Sequence, residues 1–429
     1  MSSNNELPLP LRGSEFADEY IAHLHTTVIG DEAGIATMQF EMQHSEELSV
    51  VYSVLTAMID SKRRGVDAKL IIDGRYVDTM TRIGNRDYPD ILPLTSKSAR
   101  RERRESQLRT AGWLQTLDGY GMLIRDAPSK PVRGYVPRLR QIGSIHLAQQ
   151  LSTRHMKAAY VARTRGDVTA WLGSANFTDS DLTEPDGAMA AGMHNLLVRV
   201  HGQAAAFVMR SVSGGFGGTS GLHVFPGSED VLFVHDIGNA GEPARLPRIL
   251  SEALLAIDPL SDPVITNPFE NPVKQPRSIV LLSQYPPDGL LYRALEHADR
   301  VYGADVHTPL EPVSDYRETA FPYNILNARY QRRKRAARIS SPHRTEPSHS
   351  KILIVTYDDT SAKVILGSDN FTTHLQKAVR NEELAVVIPI KAKDASTSSY
   401  FRNLVTLLSM QSEISDPLRD RLLADVPGC

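Results

Sequence analysis

The chain has 429 residues, of which 41% are hydrophobic and 23% charged, and its formal net charge at pH 7 is −2. This length exceeds what a single hydrophobic core normally fills, and the composition is typical of a globular protein rather than a disordered one. A single cysteine, Cys429, excludes an intramolecular disulfide and a zinc site built from several cysteines. With no apolar run near ~18 residues and no signal-like start, we expect a cytoplasmic protein without a transmembrane segment.

The first part of the chain predicts alternating helices and strands. Residues 16–29 favour a short helix, and the apolar–polar alternation of residues 34–42 predicts a strand. A helix follows with Ser45 as its N-cap, Leu48 on its apolar face and Gly65 just past its end. Residues 68–73 then form a short apolar strand. Strand, helix and strand in this order predict a βαβ unit with parallel pairing.

The remainder of the first half continues this pattern. The predicted elements are a helix at 107–117, strands at 121–125, 155–162, 167–173 and 195–200, and a helix at 203–211. Proline, asparagine and aspartate then become dense, which is typical of a connection. We therefore expect an N-terminal half of residues 14–257, a connection of residues 258–277 and a C-terminal half of residues 278–429.

The second half repeats the order of the first. Its predicted elements are strands at 278–283, 300–304, 349–356, 363–367 and 384–388, with helices at 288–298, 323–338 and 395–408. A repeat of about 200 residues indicates a duplicated module rather than a solenoid of short units. The expected fold class is α/β, with two mixed β-sheets flanked by helices and related by a pseudo-two-fold.

One motif occurs at identical spacing in both halves. The two copies are His155-Met-Lys157 followed by Gly173-Ser174-Ala-Asn176, and His349-Ser-Lys351 followed by Gly367-Ser368-Asp-Asn370. In each copy the histidine precedes the asparagine by 21 residues, and the lysine precedes the glycine by 16. On a strand, the histidine and lysine would point to the same face. A lone strand histidine is usually structural, but the repeated spacing favours a functional role for both.

These residue types suit the chemistry of a phosphodiester. Histidine supplies a nucleophile or a proton carrier near neutral pH, lysine a compact positive charge, and asparagine a neutral hydrogen-bond donor. Lysine and asparagine would bind the non-bridging oxygens and stabilise a five-coordinate transition state. The serines are either substrate-binding hydroxyls or small residues that a tight strand end requires. Neither copy has the clustered carboxylates that Mg²⁺ prefers, so we expect no metal and no other cofactor.

The two motifs resemble those of the phospholipase D superfamily, whose mark is H-x-K followed by G-S-x-N. The aspartate that usually follows H-x-K is replaced here by Ala162 and Thr356. The resemblance implies one active site shared by both halves and a carboxylate from the second half, Glu383, that supports the histidine of the first; Asn195 takes the corresponding place in the first half. The implied catalytic residues are His155, Lys157, Asn176, His349, Lys351, Asn370 and Glu383, and the implied substrate-binding residues are Ser174, Ser368 and Asn195.

The roles of the two histidines follow from this resemblance. Glu383 fixes the tautomer and raises the basicity of His155, which suits a nucleophile that forms a phosphohistidine. His349 is then the general acid for the leaving group and later the general base for water or an alcohol.

The substrate is left open between two classes. The chain is similar to cardiolipin synthases at Arg64-Gly65-Val66, Asp73 and Gln284-Tyr285, which implies a phospholipid phosphodiesterase or phosphatidyltransferase. The alternatives are a nuclease or nucleic-acid end-processing phosphodiesterase, and a non-catalytic binding protein. Two basic runs, residues 97–109 and 329–338, are either solvated helix faces or contacts with a phosphate-rich substrate or an anionic membrane surface. Hydrolysis and transfer to an alcohol are not distinguished, nor is the head group.

Overall fold

A computed structural model describes residues 9–74, 97–126, 155–185, 192–214, 221–224, 231–237, 274–283, 289–309, 339–340, 348–368, 371 and 382–428, with residues 7, 77, 80 and 287 as single positions. The chain divides into two compact units. The first unit comprises Leu11–Ser220 and Val379–Leu384, and the second comprises Met1–Pro10, Gly221–Ala378 and Ala385–Cys429.

A mixed sheet of seven strands forms the centre of the first unit as far as the structure describes it. The strands, in spatial order, are β1 (Leu9–Arg12), β9 (Leu196–His201), β7 (Val168–Gly173), β6 (Ala158–Ala162), β2 (Glu32–Thr37), β4 (Asp67–Asp73) and β5 (Leu123–Asp126). The short strands β3 (Phe40–Glu41) and β8 (Phe177–Thr178) pair separately. The helices are α1 (Gly13–His25), α2 (Val50–Arg63), α3 (Lys97–Gly119), the single turn α4 (Asp179–Leu182) and α5 (Gly202–Ser213).

The second unit contains a sheet of the same kind. Its described strands, in spatial order, are β10 (Gly221–Val224), β11 (Leu232–Ile237), β16 (Glu382–Lys391), β15 (Ser361–Gly367), β14 (Ile352–Tyr357), β12 (Pro276–Leu282) and β13 (Asp305–His307). The helices are α6 (Gly289–Tyr302), α7 (Ala395–Met410) and α8 (Asp416–Asp425).

Five strands of one sheet correspond to five of the other. The order β9-β7-β6-β2-β4 matches β16-β15-β14-β12-β13. In each set the first three pairs of neighbouring strands are antiparallel. In both sets the last pair is parallel, β2 with β4 and β12 with β13. The predicted duplicated α/β fold with two mixed sheets is therefore confirmed, and so is the predicted βαβ unit.

Helix α2 shows how the sequence positions these elements. Its buried face is made of Val51, Val54, Leu55 and Met58, at the i, i+3, i+4 and i+7 spacing of an amphipathic helix. The predicted N-cap was wrong: the helix begins after Ser49, whose hydroxyl accepts a hydrogen bond from the backbone N–H of Tyr52 at 3.0 Å.

The start of α2 is fixed by a distant carboxylate, which the local pattern did not reveal. Asp179 accepts hydrogen bonds from the Ser49 hydroxyl at 2.7 Å and from the backbone N–H of Val51 at 3.0 Å. Ser45 therefore lies before the helix, and Leu48, predicted on its apolar face, is 59% exposed.

Several other boundaries differ from the predictions. Residues 300–302, predicted to begin a strand, are the last residues of helix α6. The strand that follows the helix is β13, which begins at Asp305. Helix α3 begins at Lys97, so the first basic run is helical. Strands β10 and β11 pair in the second sheet, which places the change of unit at Gly221, earlier than the expected connection at 258–277. Most of that connection, the predicted helix 323–338 and the second basic run lie outside the described residues.

Among the helices that the structure describes, none is both long enough and apolar enough to cross a bilayer.

Candidate active site

The two H-x-K segments have the same local geometry. Each lies just before a strand rather than inside it, since β6 begins at Ala158 and β14 at Ile352. In each segment the lysine turns back on its own histidine: Lys157 Nζ donates to the His155 carbonyl at 2.8 Å, and Lys351 Nζ donates to the His349 carbonyl at 2.9 Å. Both lysines are buried. Both strands therefore begin three residues later than predicted, whereas the side chains of His155 and Lys157 do lie on the same side.

The glycine of each motif joins the lysine to the neighbouring strand. The backbone N–H of Gly173 donates to the Lys157 carbonyl at 3.1 Å, and that of Gly367 to the Lys351 carbonyl at 3.4 Å. A Cβ atom at position 173 would lie 2.3 Å from the Leu196 carbonyl oxygen, which no other residue could accommodate without backbone movement. The fixed spacing between lysine and glycine thus reflects the hydrogen bond between the ends of two adjacent strands, and the glycine at 173 reflects its close approach to Leu196.

His155 lies between a carboxylate and an ammonium group. Its Nδ1 is 2.8 and 2.9 Å from the two carboxylate oxygens of Glu383, and its Nε2 is 3.3 Å from Lys157 Nζ. Its backbone N–H also donates to the Glu382 carbonyl at 3.1 Å. We assign the ring proton to Nδ1 because a carboxylate can only accept. The Nε2 lone pair then faces the ammonium group of Lys157, and the contact between His155 and Glu383 that the resemblance implies is present.

Strand register equates Glu383 with Asn195. Gly173 is opposite Leu197 in the first sheet, and Gly367 is opposite Ala385 in the second. Asn195 precedes Leu197 by two residues, as Glu383 precedes Ala385. The sequence-based correspondence of these two positions is therefore confirmed, with a carboxylate in one half and a neutral amide in the other.

The rest of the first motif forms a buried hydrogen-bonded network. The Ser174 hydroxyl donates to Asn195 Oδ1 at 2.9 Å, and Asn195 Nδ2 donates to Asp181 Oδ1 at 3.0 Å. The backbone N–H of Asn176 donates to Asp181 Oδ2 at 3.0 Å. Ser174 and Asn195 thus bind each other, while Asn176 Oδ1 is buried and accepts no hydrogen bond from the described residues.

The second motif is held by residues that sequence reasoning missed. His349, Lys351 and Ser368 are buried. The Ser348 hydroxyl donates to Glu413 and accepts from the backbone N–H of Ser350 at 3.2 Å, so both neighbours of His349 are fixed. Nothing in the local pattern indicated Glu413, which follows helix α7. Asn370 lies outside the described residues.

The two positions that lack the motif aspartate differ in their surroundings. The Thr356 hydroxyl donates to Asp425 Oδ2 at 2.7 Å and accepts from the backbone N–H of Ser278 at 3.0 Å. A carboxylate from helix α8 therefore contacts strand β14 at the residue that replaces the aspartate. Ala162 lies opposite Glu32 in the ladder between β2 and β6. Within the part of the chain that the structure describes, no group of three or more His, Cys, Asp or Glu side chains is arranged to hold a metal ion.

Comparisons with known proteins agree with this architecture. No family model and no curated protein sequence matches the chain. Among solved structures, phosphatidylserine synthase of Haemophilus influenzae Rd KW20 is 11% identical with a TM-score of 0.53, covering 89% of this chain and 84% of that one. A mutant of yeast tyrosyl-DNA phosphodiesterase is 9% identical with a TM-score of 0.43, covering 91% and 90%. The likeness to the synthase shows a shared fold.

Proposed function

We propose that this chain, whose fold is phospholipase D-like, is a metal-independent phosphodiesterase or phosphatidyltransferase that acts on phospholipids through a phosphohistidine. The observation that carries the proposal is the environment of His155, which is buried and held at Nδ1 by Glu383. A neutral imidazole so held presents its Nε2 lone pair as a nucleophile.

The carboxylate also stabilises the charge that develops on the ring. As Nε2 bonds to phosphorus, the imidazole becomes cationic, and the Glu383 carboxylate at 2.8–2.9 Å offsets that charge in a site largely closed to water. A buried histidine without such a partner would be a weaker base.

The reaction is then a double displacement. In the first step, His155 Nε2 bonds to phosphorus, the bond from phosphorus to the leaving alkoxide breaks, and His349 gives a proton to that oxygen. In the second step, His349 takes a proton from water or an alcohol, the new oxygen bonds to phosphorus and the phosphorus–nitrogen bond breaks. Both histidines are restored, so no external acid or base is consumed.

Lys157, Lys351, Asn176 and Asn370 are proposed to bind the non-bridging oxygens. Lys157 Nζ lies 3.3 Å from His155 Nε2. If a phosphoryl oxygen accepted the ammonium hydrogen bond instead, Lys157 would neutralise the negative charge of the substrate and Nε2 would be released to attack phosphorus. Ser174, Ser368 and Asn195 are proposed to shape the pocket around this oxyanion. That both motifs act on one phosphodiester rests on their repeated spacing and on the need for a second proton carrier.

Phospholipid is the first substrate class to test. A phosphatidylserine synthase shares the fold, and the sequence similarity to cardiolipin synthases makes an alcohol such as the glycerol head group of phosphatidylglycerol a suitable acceptor. The basic run on α3 supports peripheral contact with an anionic membrane from the cytoplasmic side. Its Arg101 side chain is 83% exposed and pairs with Glu105 at 2.9 Å, and Lys97 and Arg100 add further positive charge in the sequence.

The test uses the full-length protein in excess EDTA with three substrates in parallel: phosphatidylglycerol vesicles, single-stranded DNA and a nitrophenyl phosphodiester. Release of glycerol or formation of a new phospholipid supports the lipid assignment, whereas cleavage of DNA alone would replace it with the nuclease alternative. The His349→Asn variant should accumulate a phosphohistidine from the nitrophenyl ester, because a good leaving group departs without an acid.

Peptide mapping locates the adduct in that variant. We expect it on the peptide that contains His155, with His155→Ala as the control that forms none. An adduct on His349 in a His155 variant would reverse the two roles. Absence of both turnover and adduct with every substrate would refute the proposed function.

A further inference from the structure

Asp181 is a buried carboxylate that lies beside the first motif without belonging to it. It is on the single helical turn α4, five residues after Asn176, and is 2% exposed. One carboxylate oxygen accepts from the backbone N–H of Asn176 at 3.0 Å. The other accepts from Asn195 Nδ2, also at 3.0 Å. Asp181 thus joins the residue proposed to bind phosphate to the residue that replaces glutamate in this half.

The network continues from Asn195 to Ser174. The other end of the Asn195 amide accepts from the Ser174 hydroxyl, and that hydroxyl also accepts from the backbone N–H of Leu196 at 3.1 Å. Asn195 Nδ2 donates to the Asp181 carbonyl as well, at 3.1 Å. The G-S-x-N segment is therefore tied to strand β9 through a sequence of bonds in which each group has a defined donor or acceptor role.

The position is specific to the first half. Asp181 follows Asn176 by five residues, and at the same offset after Asn370 the second copy has Leu375. The second copy also has Glu383 where the first has Asn195. The first half thus pairs the carboxylate of Asp181 with the amide of Asn195. The second half has leucine at the position that corresponds to Asp181 and the carboxylate of Glu383 at the position that corresponds to Asn195.

We infer that Asp181 is a positioning residue for the reaction: it fixes the direction of Asn176 and, through Asn195, that of Ser174. Its carboxylate holds the backbone of Asn176, which leaves the amide side chain of Asn176 for the oxyanion. This inference rests on the proposed function, because positioning has meaning only if Asn176 binds a phosphoryl group.

The test exchanges the two interacting side chains. In Asp181→Asn, the new amide N–H group faces another donor, either Asn195 Nδ2 or the backbone N–H of Asn176, so one hydrogen bond is lost. In Asn195→Asp, two carboxylates face each other and repel. The double variant Asp181→Asn with Asn195→Asp restores one donor and one acceptor between the two side chains, and the carboxylate introduced at position 195 still accepts from Ser174. It does not replace the bond from Asn195 Nδ2 to the Asp181 carbonyl. We expect each single variant to lose roughly tenfold or more in kcat per active site, with a smaller change in KM, and the double variant to recover part of that loss.

Asp179 provides a matched control. It is a buried carboxylate on the same turn, but its oxygens bind Ser49 and the backbone N–H groups of Gln43, His44 and Val51. Asp179→Asn should lower the melting temperature, and adding Asn195→Asp should not recover it. Active sites are counted by the phosphohistidine burst, so that a smaller folded fraction is not counted as a slower reaction.

The outcomes separate the two hypotheses. If the exchange restores kcat, Asp181 positions the motif; if kcat losses in the single variants simply add in the double variant, or if Asp181→Asn leaves kcat unchanged, the inference is overturned. A wild-type protein that neither turns over phosphodiesters nor forms an adduct refutes the proposed function instead, and with it any positioning role. The melting temperatures of the same four proteins then report whether Asp181 and Asn195 are at least coupled in the fold.

Discussion

Replacing Glu383 with glutamine tests the central contact of the proposed site. The glutamine amide has nearly the same shape as the carboxylate, and its oxygen can still accept from His155 Nδ1. What is lost is the negative charge 2.8–2.9 Å from the ring. The variant therefore separates the electrostatic contribution of Glu383 from its packing.

The size of the effect follows from the type of hydrogen bond. A bond to a charged group contributes about 1.5–3 kcal/mol and a neutral one about 0.5–1.5 kcal/mol, so the change removes roughly 1–2 kcal/mol. Both partners are buried, so solvent screening reduces this little. Because the charge on His155 develops in the transition state of the first step, the burst should slow by about 5- to 30-fold.

The assay is the pre-steady-state release of nitrophenol from a nitrophenyl phosphodiester, which reports formation of the phosphohistidine. The matched control is Glu184→Gln. Glu184 contacts another buried histidine, His194, at 3.1 Å, so this variant removes a charge from a similar pair that has no role in the proposed reaction. We expect its burst rate to equal that of the wild-type protein.

Two results would contradict the reasoning. An unchanged burst rate in Glu383→Gln would show that the carboxylate does not assist the nucleophile. An equal slowing in Glu184→Gln would show that loss of any carboxylate that contacts a buried histidine in this unit impairs the fold. Circular dichroism and the melting temperature of each variant distinguish the second result from a local effect.

Three further outcomes are expected. Turnover should persist in excess EDTA, since lysines rather than a divalent ion neutralise the phosphoryl charge, and a loss restored by Mg²⁺ or Mn²⁺ would contradict this. His155→Ala and His349→Ala should each abolish turnover and the double variant should be hardly worse, because residues that act as a unit are non-additive; about half the activity in each single variant would indicate independent sites. Burial raises the pKa of Asp31, but hydrogen bonds from the backbone of Val28 and Thr164 lower the pKa by more than burial raises it. The net shift of the pKa is therefore downward. Its stabilisation is therefore present at neutral pH and lost as the pH falls below about 4, and Asp31→Asn should lower the unfolding free energy at pH 7 by about 1–3 kcal/mol while flattening its acid dependence, measured by urea unfolding across pH.

Local sequence predicted most of the sheet strands and the duplication. Strands such as β14 and β15 are short, mostly apolar runs bounded by turns. They could be predicted because consecutive residues of the sequence show this pattern. The repeated spacing of histidine, lysine and glycine reflects contacts between adjacent strands, as the bond from Gly173 to Lys157 shows. Errors occurred where a local pattern was ambiguous. Ser45 was predicted as the N-cap of α2, but the distant Asp179 binds Ser49 and the backbone N–H of Val51, which places the start of the helix after Ser49.

The pairings that fix the site were decided by the tertiary structure. Glu383 and His155 are 228 residues apart, and only the resemblance to a known family suggested that they meet. Asp181, Glu413 and Asp425 carry no mark in the sequence that separates them from the other acidic residues, which are mostly solvated. Their role comes from the hydrogen bonds that they accept from Asn195, Ser348 and Thr356. Periodicity encodes which face of an element is apolar, whereas the partner of a buried polar group depends on how elements far apart in the chain pack together.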